Sequence, residues 1–244
     1  MKLYHKVIGL VVVGLVIFSS PAIAQFTTEK AIDSTRMEIE DQKMRLLVLD
    51  SKTKKSMEAD VRVRGLNPRK TVVFKNLSDT TLSLKKYRIY TVSVVKSGYM
   101  YHTHTFWPDE SSEHIERIEL RPIAIGAKAS PDITFLGDDT QIYHKSTPAL
   151  EELVEFMKLN PTVRIAVIGH ANGPAGKDQK SSSFYKKATE KRAQAVIDYL
   201  VSHGIAKERM EARGAGNTQM IYPDPKTDWQ VEANRRVEIE IIEK

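Results

Sequence analysis

Three short clusters place polar and charged side chains beside glycines or at the start of a strand: Ile168-Gly169-His170-Ala171-Asn172-Gly173, Thr189-Glu190-Lys191-Arg192-Ala193 and Asn234-Arg235-Arg236-Val237-Glu238-Ile239. An arginine offers a planar fork of donors that suits a bidentate grip on a carboxylate. An amide such as Asn172 adds only a neutral hydrogen bond. Taken singly, these residues have ordinary readings. Arg192 alone in a helix is a solvated residue or an i,i+4 partner, and Gly169 and Gly173 make the turn after a strand. Arg236 and Glu238 form a surface pair on one face of the last strand. His170 reads as a structural hydrogen-bonding residue, because no Ser or Cys nucleophile with an orienting acid stands near it in sequence.

His102 and His104 share a strand face and His114 follows, but a zinc site needs three or four ligands and no carboxylate lies close before Asp109 and Glu110. We expect no metal and no cofactor. Tyr99, Tyr101 and Trp107 occupy odd positions and hence one strand face, which suits core filling better than sugar stacking. Asp138 and Asp139 are adjacent, so on a strand they point to opposite faces and make a poor acid/base pair.

The elements that must position these residues fall into two regions. Residues 44–121 show period-two, β-branched runs separated by turn clusters such as Asp50-Ser51-Lys52-Thr53. They predict a small antiparallel β-sandwich. Residues 25–43 read as a leader or linker, and residues 122–131 as a second linker. Residues 132–244 then alternate strands with amphipathic helices. Thr147 is placed as an N-cap before Pro148, Leu150, Leu153, Val154 and Met157 make one buried stripe, and Asn160-Pro161 stops the helix. A second helix over residues 185–203 buries Ala193, Val196, Ile197 and Leu200, with Gly204 as its C-cap glycine. The whole is an α+β protein: an antiparallel sandwich followed by a two-layer α/β sandwich of order β-α-β-α-β-β.

The three clusters, their order and the segment Ile133-Thr134-Phe135 resemble the OmpA-like C-terminal domain. In that family the second strand ends in Gly-His-Thr-Asp before a glycine loop, the second helix carries Leu-Ser-x-x-Arg-Ala, and the last strand begins Asn-Arg-Arg-Val-Glu-Ile. The resemblance covers about half the chain, roughly residues 132–242. The earlier strands resemble, more diffusely, a transthyretin-like or carboxypeptidase-regulatory sandwich. The OmpA-like resemblance implies a non-catalytic module that holds the diaminopimelate-bearing stem peptide of peptidoglycan, an aspartate taking the ammonium and an arginine the carboxylate. Arg192 matches the family arginine, and Asn234 and Arg235 match the start of Asn-Arg-Arg. The family aspartate is Asn172 here, its threonine is Ala171, Tyr185 replaces an asparagine, and the loop between residues 172 and 185 is longer than the family's. Three outcomes stay open: Asp178, Asp138 or Asp139 supplies the lost carboxylate, the ligand differs, or the ligand is lost. An envelope scaffold, with the sandwich docking a protein partner, is the rival reading. The two differ in whether a pocket is open between Asn172, Arg192 and Arg235 or filled by Tyr185 and the loop.

Composition narrows the classes further. With 244 residues, 41% hydrophobic and 28% charged, and no Cys, the chain is neither disordered nor a disulfide scaffold. The net charge of +6 is uneven: residues 122–244 carry 17 basic and 17 acidic residues. The best basic run, Lys85-Lys86-Tyr87-Arg88, is too short to track phosphates, so nucleic acid is not expected as a partner. Residues 1–24 pair a basic head with an apolar run from Val7 to Phe18 and end in Ala22-Ile23-Ala24. That run spans about 18 Å as a helix against roughly 30 Å of hydrocarbon, which predicts a cleaved secretory signal rather than an anchor. The expected product is an exported periplasmic protein of a Gram-negative envelope, associated with the outer membrane, with no membrane-spanning segment in the mature chain.

Overall fold

A computed structural model describes residues 40–66, 69–108, 115–137, 140–173 and 179–244. The expected signal and the segment up to residue 39 lie outside the described residues, as do Asp138, Asp139, Asp178 and His114.

Residues 41–120 form two sheets over one core. The three-stranded sheet runs β4-β1-β7 (β1 Asp41–Asp50, β4 Asp79–Lys85, β7 Ile115–Leu120). The four-stranded sheet runs β3-β2-β5-β6 (β2 Ala59–Leu66, β3 Arg69–Leu77, β5 Tyr90–Val94, β6 His102–Phe106). Alternate residues of both sheets point inward: Leu46 and Val48 on β1, Val61 and Val63 on β2, Val92 and Val94 on β5, Ile118 and Leu120 on β7. β1 begins at Asp41, earlier than expected, because Gln42 and Met44 continue its inward row. One pairing departs from the expected antiparallel pattern: β1 and β7 run parallel, with Arg45 opposite Ile115 and Asp50 opposite Leu120. A tight turn fixes direction only between strands adjacent in sequence, and these two are far apart.

The later residues build the sheet β10-β9-β11-β8 (β8 Lys128–Ala129, β9 Arg164–His170, β10 Met210–Gly216, β11 Val237–Glu243) with helices α1 (Thr147–Leu159), α2 (Gln179–Ser202) and α3 (Asp228–Asn234). β9 is parallel to β10 and antiparallel to β11. The stripe Leu150, Leu153, Val154 and Met157 is buried as expected, and so are Ala193, Val196, Ile197 and Leu200 of α2. Burial of each large apolar side chain contributes about 1.5 to 3 kcal/mol. Asn160 ends α1 by donating from Nδ2 to Phe156 O at 2.8 Å, and Gly204 sits past the end of α2 at φ +88°. Ser146 rather than Thr147 is the N-cap of α1. The strand expected at residues 133–135 is a single bridge between Phe135 and Ile142; the sheet edge is instead β8, inside the stretch read as a linker. α2 starts at Gln179, earlier than expected, and α3 was not foreseen.

The outward face of β2 and β5 is not left to water. Arg62 reaches Glu155 at 2.5 Å, and Glu152 receives Arg64 at 3.1 Å and the Ser93 hydroxyl at 2.6 Å. Burial raises the Glu152 carboxyl above its ordinary range, while Ser93 and the two arginines pull it back. Alongside, Val95, Met100 and Tyr101 enter the core that α1 and α2 make with their sheet, Tyr101 meeting Phe156 edge-on at 5.6 Å. Gly98 N–H donates to Asn160 Oδ1 at 2.8 Å. The expected shared face of Tyr99, Tyr101 and Trp107 is therefore wrong: Tyr101 is buried, Tyr99 donates to Asp50 at 2.9 Å, and Trp107 is exposed. Tyr99 and Tyr101 precede β6, so strand alternation does not govern them.

Candidate functional site

Helix α2 lies on β9 and β10 at backbone distance. A Cβ at Gly169 would stand 2.2 Å from Thr189 O, and one at Gly214 would stand 2.1 Å from Lys186 O. Gly169 is thus needed for close approach rather than for a turn. Buried Thr189 locks the contact, its hydroxyl accepting Gly216 N–H at 3.0 Å and donating to Tyr185 O at 2.8 Å. One turn further along α2, Arg192 donates to Gly137 O at 2.9 Å and lies 5.4 Å from the centre of the Phe135 ring, a cation–π contact.

The end of α3 is held by Asn234. Its Nδ2 donates to Tyr222 O and to Asn172 Oδ1, both at 2.8 Å, and its Oδ1 accepts Tyr222 N–H at 2.9 Å. This wholly buried amide fixes where Arg235 and Arg236 leave α3 for β11. Arg236 meets Glu238 at 2.7 Å and donates to Gln219 O at 3.2 Å. The expected surface pair of Arg236 and Glu238 is mostly covered, each side chain 14% exposed. Glu238 is held below the ordinary carboxylate range, burial being outweighed by Arg236, His170 and Lys128 together.

These elements enclose a cavity of about 150 Å³ lined by Phe135, His170, Arg192, Glu232, Arg235 and Arg236 with neighbouring backbone. His170 is 2% exposed, with Nε2 3.4 Å from Glu238 Oε2 and no hydrogen bond at Nδ1. Burial first, then Arg236, pushes its imidazole down to about 4, so it is neutral at pH 7. The cavity wall therefore carries three guanidinium groups, one carboxylate and a neutral imidazole among the described residues. That balance suits an anionic group.

Of the residues expected at the site, Arg192 and Arg235 come together on this cavity. Asn172, Asn234 and Tyr185 do not line it. Asn172 spends its amide oxygen on Asn234, and Tyr185 packs its ring over Gly173, where a Cβ would meet it at 2.9 Å. Asp138 and Asp178 lie outside the described residues. Glu232 went unnoticed in the sequence, although its spacing of three from Arg235 puts it on the same helical face. Among the described residues no group of three or more His, Asp or Glu side chains could hold a metal ion.

A helix-on-sheet domain with an arginine-walled cavity at the strand ends is the class that fold and site define. Residues 134–235 match the OmpA family and are an OmpA family domain. The chain is 32% identical over 120 residues to outer membrane protein A of Serratia odorifera, covering 45% of this chain and 48% of that protein. It is 31% identical over 111 residues to outer membrane porin F of Pseudomonas aeruginosa, covering 45% and 30%. The chain thus spans less than half the length of these two curated relatives. Among solved structures, the peptidoglycan-associated lipoprotein of Burkholderia pseudomallei is similar at 20% identity and a TM-score of 0.38, covering 46% of this chain and 88% of that one. The periplasmic domain of Helicobacter pylori MotB is similar at 22% identity and a TM-score of 0.40, covering 48% and 81%.

Proposed function

We propose that the chain is a non-catalytic envelope protein whose OmpA family domain holds the diaminopimelate-bearing stem peptide of peptidoglycan, with Arg192 and Arg235 gripping a carboxylate. The observation that carries this reading is the cavity bounded by both arginines and not filled by Tyr185. A charge-assisted bond from guanidinium to carboxylate contributes about 1.5 to 3 kcal/mol. Arg192 is already oriented by Gly137 O and Phe135, so little side-chain freedom is lost when a ligand arrives. The relatives' names place them at the outer membrane, which supports an exported, periplasmic location together with the secretory pattern of residues 1–24. No described helix is long and apolar enough to cross a membrane. The earlier strands, as a transthyretin-like sandwich, would serve as a spacer or dock an envelope protein.

Co-sedimentation with diaminopimelate-containing sacculi tests the proposal, using the chain expressed without residues 1–24. Wild type pellets with the wall, and Arg192→Ala weakens binding at least about tenfold, or about 1.4 kcal/mol, at an unchanged unfolding midpoint. Wild type left in the supernatant would remove the wall-binding reading and favour the scaffold.

A further inference from the structure

Of the asparagines in the chain, Asn172 alone is followed by glycine. The side-chain amide of an asparagine is open to attack by the backbone nitrogen of the next residue, and a glycine there puts no side chain in the way. Asn67 and Asn160 precede prolines, which have no N–H to give up. Asn76, Asn217 and Asn234 precede Leu77, Thr218 and Arg235, whose side chains crowd the nitrogen.

The fold singles out the same amide independently. Asn172 Oδ1 accepts from Asn234 Nδ2 at 2.8 Å. Asn234 cannot turn away, because it is wholly buried, also donates to Tyr222 O at 2.8 Å and accepts Tyr222 N–H at 2.9 Å. A fixed donor on a carbonyl oxygen draws electrons from the carbon and steadies the oxyanion that forms when a nucleophile adds. The carbon so polarised is Asn172 Cγ. Among the described residues no backbone carbonyl accepts from the Gly173 N–H, so the nucleophile is not tied up. Asn172 and Gly173 are both partly exposed, within reach of water, and the chain just before them is anchored by Ala171 N–H on Gly216 O at 2.8 Å.

We infer that Asn172 is a modification site: the folded chain converts it to aspartate, with Asn234 promoting the reaction. Gly173 N gives up its proton and bonds to Asn172 Cγ. The Cγ–Nδ2 bond breaks, ammonia leaves with that proton, and a cyclic imide remains. Water then opens the imide. Addition at Cγ breaks the new bond to Gly173 N and yields aspartate on an unaltered backbone. Addition at the backbone carbonyl of residue 172 breaks the peptide bond instead and yields isoaspartate. The oxygen held by Asn234 stays on Cγ throughout, so the same hydrogen bond steers water to Cγ and favours aspartate. Water is taken up and ammonia released, and no oxidant or cofactor is needed. The new carboxylate keeps Asn234 Nδ2 as its donor, now in a charge-assisted bond, so the hold on Tyr222 survives. The protein thereby gains an anion where its sequence encodes a neutral amide, and this does not depend on the wall-binding reading.

Tandem mass spectrometry of the tryptic peptide of residues 165–177 tests it, after incubation of the chain without residues 1–24 either folded or held unfolded in guanidinium chloride. The folded protein converts residue 172 at no less than about a tenth of the unfolded rate, with an aspartate-to-isoaspartate ratio at least about threefold above that of the unfolded chain. Asn234→Asp, which keeps an acceptor for Tyr222 N–H and removes the donor, returns the ratio to the unfolded value; if that variant does not fold, the wild-type ratio decides alone. A folded rate below that tenth, a wild-type ratio below that threefold, or a folded Asn234→Asp protein that keeps the aspartate excess overturns the inference and leaves the wall-binding reading as it stands.

Discussion

Where β2 faces α1, Arg62 and Arg64 reach Glu155 and Glu152 at 2.5 and 3.1 Å; where α3 ends, Arg235 stands 3.4 Å from Glu232. The residue types are the same and the surroundings are opposite. Glu152 is 7% exposed and takes a further bond from Ser93, whereas Glu232 is 61% exposed and borders a cavity. A buried pair with its remaining lone pairs satisfied cannot trade partners without leaving a charge stranded. An exposed, long pair can. Arginine and glutamate thus tie α1 to the four-stranded sheet in one place and form a loose, exposed pair beside a cavity in the other.

Glu152→Ala strands Arg64 and Ser93 in a covered interface and should lower stability by about 3 kcal/mol in urea unfolding. Glu232→Ala should cost no more than about 0.5 kcal/mol in the same experiment. Equal losses would erase the distinction.

Burial, and then Arg236, push the His170 imidazole down to about 4 in the fold from 6.5 for the free side chain. Between those values the unfolded chain binds a proton that the fold does not, so stability falls as pH drops from 6.5 towards 4. The loss amounts to at most about 3 kcal/mol. Glu152 works the other way: its carboxyl is raised by burial, so stability declines as pH rises from its unfolded value of 4.5. The difference between wild type and His170→Gln in acid-range unfolding isolates the histidine, and His170→Gln should show the flatter acid limb. Parallel profiles would mean that the imidazole is not held neutral.

Much of the scaffold was legible in the sequence because single-element signals decide it. The α1 stripe, the stop at Asn160 and the glycine at residue 204 each follow from local periodicity or local backbone geometry. The parallel pairing of β1 with β7 was not, since it depends on residues far apart in sequence. Nor was α3, a seven-residue helix whose end is secured by the Asn234 side chain rather than by an apolar stripe. At the site, Arg192 and Arg235 were readable from their motifs. Asn234 could be matched but not understood, because its role lies in holding Tyr222 and Asn172. Glu232 belongs to the cavity only through the fold, and Gly169 looked like a turn residue because the helix that needs its missing side chain arrives from residues 186–189.

Side-chain spectroscopy follows the two kinds of arginine in one sample. With isotope-labelled arginine, the Nε–H signals of Arg62, Arg64, Arg192 and Arg235 can be watched by NMR while the diaminopimelate stem peptide is added. Arg192 and Arg235 should shift together along one saturating curve while Arg62 and Arg64 stay still. Unmoved signals from Arg192 and Arg235 at saturating peptide, or the same small drift in all four, would contradict it.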